Sequence, residues 1–207
     1  MKLHTGDGLV LEAEWSAPDD VRATAVLCHP HPQYGGTMRS IVISALFDAL
    51  PPRGVACLRF NFRGVEGSEG EHDFGNLERV DAETAVDALH ERLAPGTPLI
   101  LTGWSFGADM ALSVRDARVD AWLAIAPPVV VVHDIDGLAA DARPKLLALA
   151  QHDEYRDPAE VTELAERWAN TDVHVVGGAS HFFVGRTDRL VELASGYVDR
   201  LAPATSG

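Results

Sequence analysis

The sequence predicts an α/β fold: a mostly parallel sheet with helices packed on both of its faces. Continuous apolar runs of strand length, such as ATAVLCH, VACLRFNF and PLILTG, alternate with amphipathic segments of helix length. A strand that is apolar on both faces is typical of a parallel sheet covered by helices. With 207 residues, 46% of them hydrophobic, the chain is long enough to bury a core. We therefore expect one domain spanning 1–207, with 202–207 as a loose tail.

The elements follow from the period of the apolar pattern and from the turn residues that interrupt it. In the N-terminal part they are, in chain order, a hairpin of strands at 2–5 and 9–15, a strand at 23–29, a helix at 39–50 and a strand at 55–62. The turn Gly6-Asp7-Gly8 closes the hairpin, and Pro51-Pro52 ends the helix because proline cannot continue it. The remaining elements are a helix at 76–93, a strand at 98–103, a helix at 106–116, strands at 121–128 and 145–151, a helix at 158–170, a strand at 172–178 and a helix at 186–201.

A candidate nucleophile lies at the end of the strand PLILTG. Right-handed crossovers place all strand-to-helix loops of a parallel sheet along one edge, where sites form. Here the loop contains Gly103-Trp104-Ser105-Phe106-Gly107 and leads directly into a helix. A G-x-S-x-G motif between strand and helix presents its serine hydroxyl on a strained turn. An ordinary glycine-rich turn with a serine helix cap is the alternative, but this placement favours Ser105 as a nucleophile.

A serine hydroxyl needs a general base, and the base needs a carboxylate that orients it. In the chain order Ser, acid, His, the matching residues are Asp153 and His181, each just after a predicted strand. Both side chains should therefore reach the sheet edge that holds Ser105. The alternative acids are Asp134, Asp136, Glu154 and Asp157, the first two because some hydrolases take the acid one strand earlier.

The loop after the first buried strand is the candidate second half of an oxyanion hole, HPHPQYGG. Acyl transfer needs two main-chain N–H groups that face the developing oxyanion, one of them from the residue after the nucleophile, Phe106. Pro30 and Pro32 have no N–H, so the amide of His31 is favoured and that of Gln33 is the runner-up. A plain proline-rich turn is the alternative.

The remaining histidines give no clear metal site. His29 and His31 form an H-x-H pair, but no third ligand joins them, so we expect neither a metal nor a cofactor. His174 is expected to be a packed or edge residue and His152 to pack beside the site. The expected surface histidines are His4, His72, His90 and His133.

Charge and composition restrict the classes of binding partner that we expect and the compartment in which the protein works. The formal net charge of −14 argues against binding to nucleic acid or anionic membranes. Cys28 and Cys57 lie in apolar runs and are expected to be buried, reduced thiols. The N-terminus, MKLHTGDGLV, has no apolar signal region, so we expect a cytoplasmic protein. The expected partner is a small-molecule acyl substrate, and the formation of a homodimer stays open.

Four segments carry a resemblance to a known family: HPHPQYGGTMRS, LRFNFRGVEGSEGEHD, LTGWSFGADMAL and GASHFFVG. With these segments the chain resembles the short, lid-less α/β-hydrolases related to the dienelactone hydrolase family. The resemblance implies an eight-stranded sheet, hydrolysis of the ester type, and Ser105, Asp153 and His181 as the triad. Dienelactone hydrolases proper use a cysteine nucleophile. The subgroup's loop reads R-G-V-G, whereas Glu66 stands at its second glycine here.

The sequence thus predicts a serine hydrolase that cleaves a small or short-chain ester or thioester through an acyl-enzyme. The stretch after the strand at 121–128 leaves no room for a large lid, and an open, shallow site suits small acyl groups. The candidate pocket walls are Tyr34, Trp104, Phe182 and Phe183. A non-catalytic interaction module on the same fold and a serine peptidase are the alternatives.

Overall fold

The protein folds around one eight-stranded sheet in the computed structural model, which describes residues 1–90, 92 and 94–203. The strands are β1 (Lys2–His4), β2 (Val10–Ser16), β3 (Ala23–Cys28), β4 (Val55–Phe60), β5 (Leu99–Trp104), β6 (Ala121–Ile125), β7 (Lys145–His152) and β8 (Thr171–Ser180). The α-helices in the described residues are α1 (Ile41–Ala49), α2 (Glu78–His90), α3 (Phe106–Ser113), α4 (Ile135–Ala140), α5 (Pro158–Ala165) and α6 (Thr187–Leu201).

The sheet order is β1-β2-β4-β3-β5-β6-β7-β8. β1 and β2 form the antiparallel hairpin, β2 pairs antiparallel with β4, and every later pairing is parallel. One apolar core joins the sheet to α2, α3, α4 and α5, and a second joins the opposite face to α1 and α6. The predicted α/β-hydrolase fold, a mostly parallel sheet with helices on both faces, is confirmed. Its topology brings the loops after β3, β5, β7 and β8 to one edge.

Several predicted boundaries differ from those of the structure. The helix predicted at 158–170 ends at Ala165, and the one predicted at 106–116 ends at Ser113, because Val114 is extended (φ −90°, ψ 118°). The short helix α4 was not predicted. Its N-cap residue, Asp134, has a left-handed backbone conformation (φ 51°), and its side chain accepts from the Gly137 N–H. The sequence pattern does not reveal that conformation.

The predicted C-terminal tail is packed against the fold at its first residue. Ala202, placed by the sequence in a loose tail, is buried, and its carbonyl accepts a hydrogen bond from Arg22. Residues 204–207 of that predicted tail lie outside the described residues, as do 91 and 93 of the helix predicted at 76–93.

Both cysteines are buried, free thiols, as predicted. Burial raises the pKa of Cys57 to about 12 and that of Cys28 further, so neither is a reactive thiolate at neutral pH. Among the helices of the described residues, none has the length and apolar character needed to cross a membrane.

Candidate active site

Ser105 lies on a sharp turn between β5 and α3, with φ 56° and ψ −122°. Two glycines make that turn possible. A Cβ atom added at Gly103 would lie 2.1 Å from the carbonyl oxygen of Gly107, and one added at Gly107 would lie 2.3 Å from the carbonyl oxygens of Cys28 and His29. No side chain fits at such distances, so both positions require glycine. The turn thereby packs closely on the end of β3 and exposes the serine hydroxyl.

We expect Gly107→Ala to lower the free energy of unfolding by roughly 3 kcal/mol or more, because the added methyl overlaps main-chain atoms that cannot move independently. Gly196→Ala is the matched control, since a Cβ there meets no atom within 4 Å. In the interior of α6 alanine should stabilise by about 0.5–1 kcal/mol relative to glycine. Urea unfolding measures both. Equal stability of the two variants would contradict the close packing of the turn.

Ser105, His181 and Asp153 form a continuous chain of hydrogen bonds. The Ser105 hydroxyl lies 2.9 Å from Nε2 of His181, and Nδ1 of His181 lies 2.8 and 3.0 Å from the two carboxylate oxygens of Asp153. With Nδ1–H donating to Asp153, Nε2 is left to accept the serine proton. The structure therefore brings together the three side chains that the chain order selected.

The alternative acids do not reach the imidazole ring. Asp134 caps α4 and pairs with Arg115, while Asp157 caps α5 by accepting from Ala159. Asp136 is exposed in the first turn of α4. Glu154 accepts from the main-chain N–H of His181 at 3.1 Å, so it holds the backbone of the histidine rather than its ring.

The Asp153 carboxylate is buried and firmly oriented. Its Oδ1 also accepts from the main-chain N–H groups of Tyr155 (2.9 Å) and Arg156 (3.1 Å). Burial acts to raise the pKa of Asp153, but the hydrogen bonds from His181 and these amides outweigh it, and the pKa lies below its usual value. At neutral pH the residue is an ionised acceptor for His181.

Trp104 positions the loop that carries His181. Its indole Nε1–H donates to the His181 carbonyl oxygen at 3.1 Å, and its ring packs against Phe182. The bulky residue between Gly103 and Ser105 in the motif is therefore a structural link between the turn at Ser105 and the loop after β8.

We expect Trp104→Phe to reduce kcat/KM for an activated ester about five- to tenfold, because one hydrogen bond that holds His181 in register is lost. Trp122→Phe is the control. Its indole donates to the carbonyls of Ala111 and Val114 in the core, so that variant should lose stability but keep activity per folded molecule. Equal losses of activity would contradict a positioning role for Trp104.

The predicted oxyanion donors lie on the two segments that meet at Ser105. Within the described residues, the amides of His31 and Phe106 donate to no protein acceptor. The Gln33 amide instead donates to Nδ1 of His31 at 3.2 Å. Because the Gln33 N–H already has an acceptor, the His31 amide is the better candidate for the oxyanion donor. Gly36 completes the loop, where an added Cβ would lie 2.1 Å from the Pro30 carbonyl oxygen.

His29 is a structural residue of the core. Its Nε2 accepts from the Phe62 N–H at 3.0 Å, and its Nδ1 lies 2.6 Å from the Pro30 carbonyl oxygen. Burial lowers the pKa of His29 to about 3, so the ring is neutral. In the described part of the chain, no group of three or more His, Cys, Asp or Glu side chains is arranged to hold a metal ion.

The prediction that His72 is a surface residue is wrong. Its side chain is 8% exposed, with Nδ1 lying 2.6 Å from Oε1 of the buried Glu78, and its ring packs on His31 and Phe106. His72 lies in the long loop before α2, which folds back over the site. His152 is exposed at the end of β7, and His174 is exposed on the edge strand β8. His4 and His90 are exposed and His133 is half-buried.

A cavity of about 590 Å³ opens over Ser105. Tyr34, Trp104 and Phe182 line it, as predicted, but Phe183 does not. Phe183 is fully buried in the core shared with α6, because the chain reverses at that residue (φ 52°) and turns its ring inward. The lining residues that the sequence did not reveal are Pro30, Gly35, Gly36, Ser40, Ile41, Phe74, Pro128, Val130, Val131 and Tyr155.

Glu66, where the resemblance led us to expect glycine, has φ 46° in the left-handed region. That conformation explains why glycine suits the position. The Glu66 carboxylate accepts from the Asn61 side chain at 2.8 Å and pairs with Arg39 at 3.2 Å. Asn61 in turn accepts from the Met38 N–H at 2.8 Å. Glu66 therefore braces the segment after Gly36 and does not line the cavity.

Comparison with known proteins identifies relatives that align over most of the chain. The structure aligns with an α/β serine hydrolase homologue from Coxiella burnetii at 31% identity and a TM-score of 0.86, covering 95% of each chain. It aligns with an α/β serine hydrolase without a lid from Xanthomonas campestris at 30% identity and a TM-score of 0.84, covering 99% of this chain and 95% of that one. An uncharacterised protein of Rickettsia prowazekii is 34% identical, covering 84% of this chain and 77% of the relative. No family model matches the chain.

Proposed function

The chain belongs to the α/β serine hydrolases, and from that premise we propose that it hydrolyses small or short-chain carboxylic esters or thioesters through an acyl-enzyme on Ser105. The observation that carries the proposal is the chain of hydrogen bonds from Ser105 through His181 to Asp153. The proposed kinship with the serine-nucleophile relatives of dienelactone hydrolase rests on the four sequence segments that resemble them.

In the proposed first half-reaction, His181 Nε2 removes the Ser105 proton as Oγ attacks the substrate carbonyl carbon. The amides of His31 and Phe106 stabilise the oxyanion, and Asp153 stabilises the imidazolium. The tetrahedral intermediate collapses, and His181 delivers its proton to the leaving alcohol or thiol. In the second half-reaction water attacks the acyl-enzyme carbonyl carbon as His181 removes its proton. The bond to Ser105 Oγ then breaks, His181 returns the proton to Oγ, and the carboxylic acid is released.

A fluorophosphonate probe with a panel of p-nitrophenyl esters of graded acyl length tests this function. We expect covalent labelling of Ser105, blocked in Ser105→Ala, and turnover that is greatest with short acyl chains. A protein that is neither labelled nor active on any ester would instead be a non-catalytic module. Labelling with turnover of peptide substrates alone would indicate a peptidase.

A further inference from the structure

One wall of the cavity comes from the loop between β6 and α4. Pro128, Val130 and Val131 line the cavity, and Val129 between them adopts a left-handed conformation (φ 54°). A β-branched residue adopts that conformation only where surrounding contacts impose it.

The carboxylate of Asp109 holds the wall by its main chain. Oδ1 accepts from the Val129 N–H at 2.9 Å, and Oδ2 accepts from the N–H groups of Val130 (2.9 Å) and Val131 (3.1 Å). Asp109 is fully buried in α3, one helical turn after Ser105. A buried carboxylate is costly unless its oxygens are satisfied, so an apolar side chain would serve better if the position only filled space. Its specific contribution is to fix this loop.

The wall lines the same cavity as Ser105, where it can contact a bound substrate. His181 must protonate the leaving group, so that group lies beside His181, where the rings of Tyr155 and Phe182 pack (4.7 and 5.6 Å). A Cβ added at Gly75, next to Phe74, would contact Val131 at 3.4 Å, so Phe74 and the loop line one part of the cavity together. In the proposed geometry the acyl group of the substrate occupies that part.

The lining of the cavity also indicates the class of acyl group. Aromatic and aliphatic side chains dominate it, and among the described residues no Asp, Glu, Lys or Arg lines it. A carboxylate on the acyl group would find no cation there, and the formal net charge of −14 would oppose its approach.

Resting on the proposed ester hydrolysis, we propose that the loop 128–131 is the acyl-selective wall of the cavity, that Asp109 is its positioning residue, and that the site takes esters of uncharged, apolar acyl groups. Burial raises the pKa of Asp109 to about 6, against the opposing effects of the three N–H donors and of Arg156. Arg156, in the β7–α5 loop, also pairs with Glu160. The other titratable groups on neighbouring elements are Glu78, Asp81 and His133. Glu78 contacts His72, Asp81 pairs with Arg63, and the His133 N–H donates to Ser113.

The test compares kcat/KM for p-nitrophenyl butyrate with that for p-nitrophenyl acetate between pH 5 and 8. The ratio cancels any pH dependence that the two esters have in common. In the wild type the butyrate/acetate ratio should fall as pH drops through about 6, where Asp109 becomes protonated and can no longer accept all three bonds. In Asp109→Asn, which also loses an acceptor, the ratio should be about fivefold lower and independent of pH.

Ser113→Ala is the matched control. It removes the hydrogen bond that the His133 N–H donates to the Ser113 hydroxyl, one turn further along α3, and leaves the three hydrogen bonds of the wall to Asp109 intact. Its ratio should equal that of the wild type. If Asp109→Asn does not fold, Val131→Ala decides, because it should shift the preferred acyl group to a longer chain. We also expect p-nitrophenyl hemisuccinate, an anionic acyl ester, to react about 100-fold more slowly than the butyrate.

Three results would overturn the proposal: an unchanged ratio in folded Asp109→Asn, a wild-type ratio that is flat with pH together with an unchanged profile in Val131→Ala, or equal rates for hemisuccinate and butyrate. Each requires an active wild type. A wild type with no Ser105-dependent turnover would instead refute the proposed function, so the two failures are distinguishable.

Discussion

Ser105→Ala should lower kcat/KM for p-nitrophenyl acetate by about 10⁴-fold or more and abolish labelling by a fluorophosphonate. The variant removes the oxygen that attacks the carbonyl and that His181 would deprotonate at 2.9 Å. The fold should be unaffected, because alanine keeps the Cβ atom and the main-chain N–H of residue 105, which donates to the Ile125 carbonyl at 2.8 Å.

Ser195→Ala is the control for this experiment. Ser195 lies in α6, and its hydroxyl donates to the Val191 carbonyl, remote from the cavity. Its kcat/KM should match that of the wild type, and thermal unfolding of all three proteins checks the fold. Substantial turnover by pure, folded Ser105→Ala would remove Ser105 from the mechanism.

Asp153→Asn should reduce kcat by roughly 10⁴-fold with little change in KM. The asparagine amide presents an N–H where His181 now finds a carboxylate oxygen, so the ring is driven to the tautomer with its proton on Nε2. In that tautomer Nε2 cannot accept the proton of Ser105. The loss also removes the negative charge that would stabilise the imidazolium.

The control is Asp136→Asn, which changes an exposed carboxylate on α4 that the sequence left as an alternative acid. That variant should retain wild-type kcat. A large loss in Asp136→Asn or Asp134→Asn, with activity kept in Asp153→Asn, would place the acid after β6 and refute the assignment.

The sequence could predict that Ser105, His181 and Asp153 come together, because each position depends on local pattern. Apolar runs locate the strands, and the parallel topology then brings the residues that follow β5, β7 and β8 to one edge. The glycines around Ser105 add a turn that few other residues tolerate. Nothing about the packing of distant loops was needed.

The walls of the cavity could not be predicted for the opposite reason. Phe74, Val129 and Phe183 all have positive φ values, between 52° and 54°, although no such residue favours that region. These conformations decide which side chains face the cavity, and that of Val129 is held by Asp109, 20 residues earlier in the chain. The position of His72 depends on its contact with the buried Glu78, which the apolar pattern does not indicate.

The spacing of three side chains on α3 has a consequence for how this protein can evolve. Ser105, Asp109 and Ser113 are each one turn apart, and the last two bind main-chain N–H groups of the loop 129–133. Because these hydrogen bonds come from main-chain N–H groups, they do not depend on which side chain each loop residue carries. Proline is the exception, since it has no N–H. With the proposed acyl-selective wall, substitutions at Val130 and Val131 would therefore change the substrate range stepwise and leave Ser105, His181 and Asp153 unaltered.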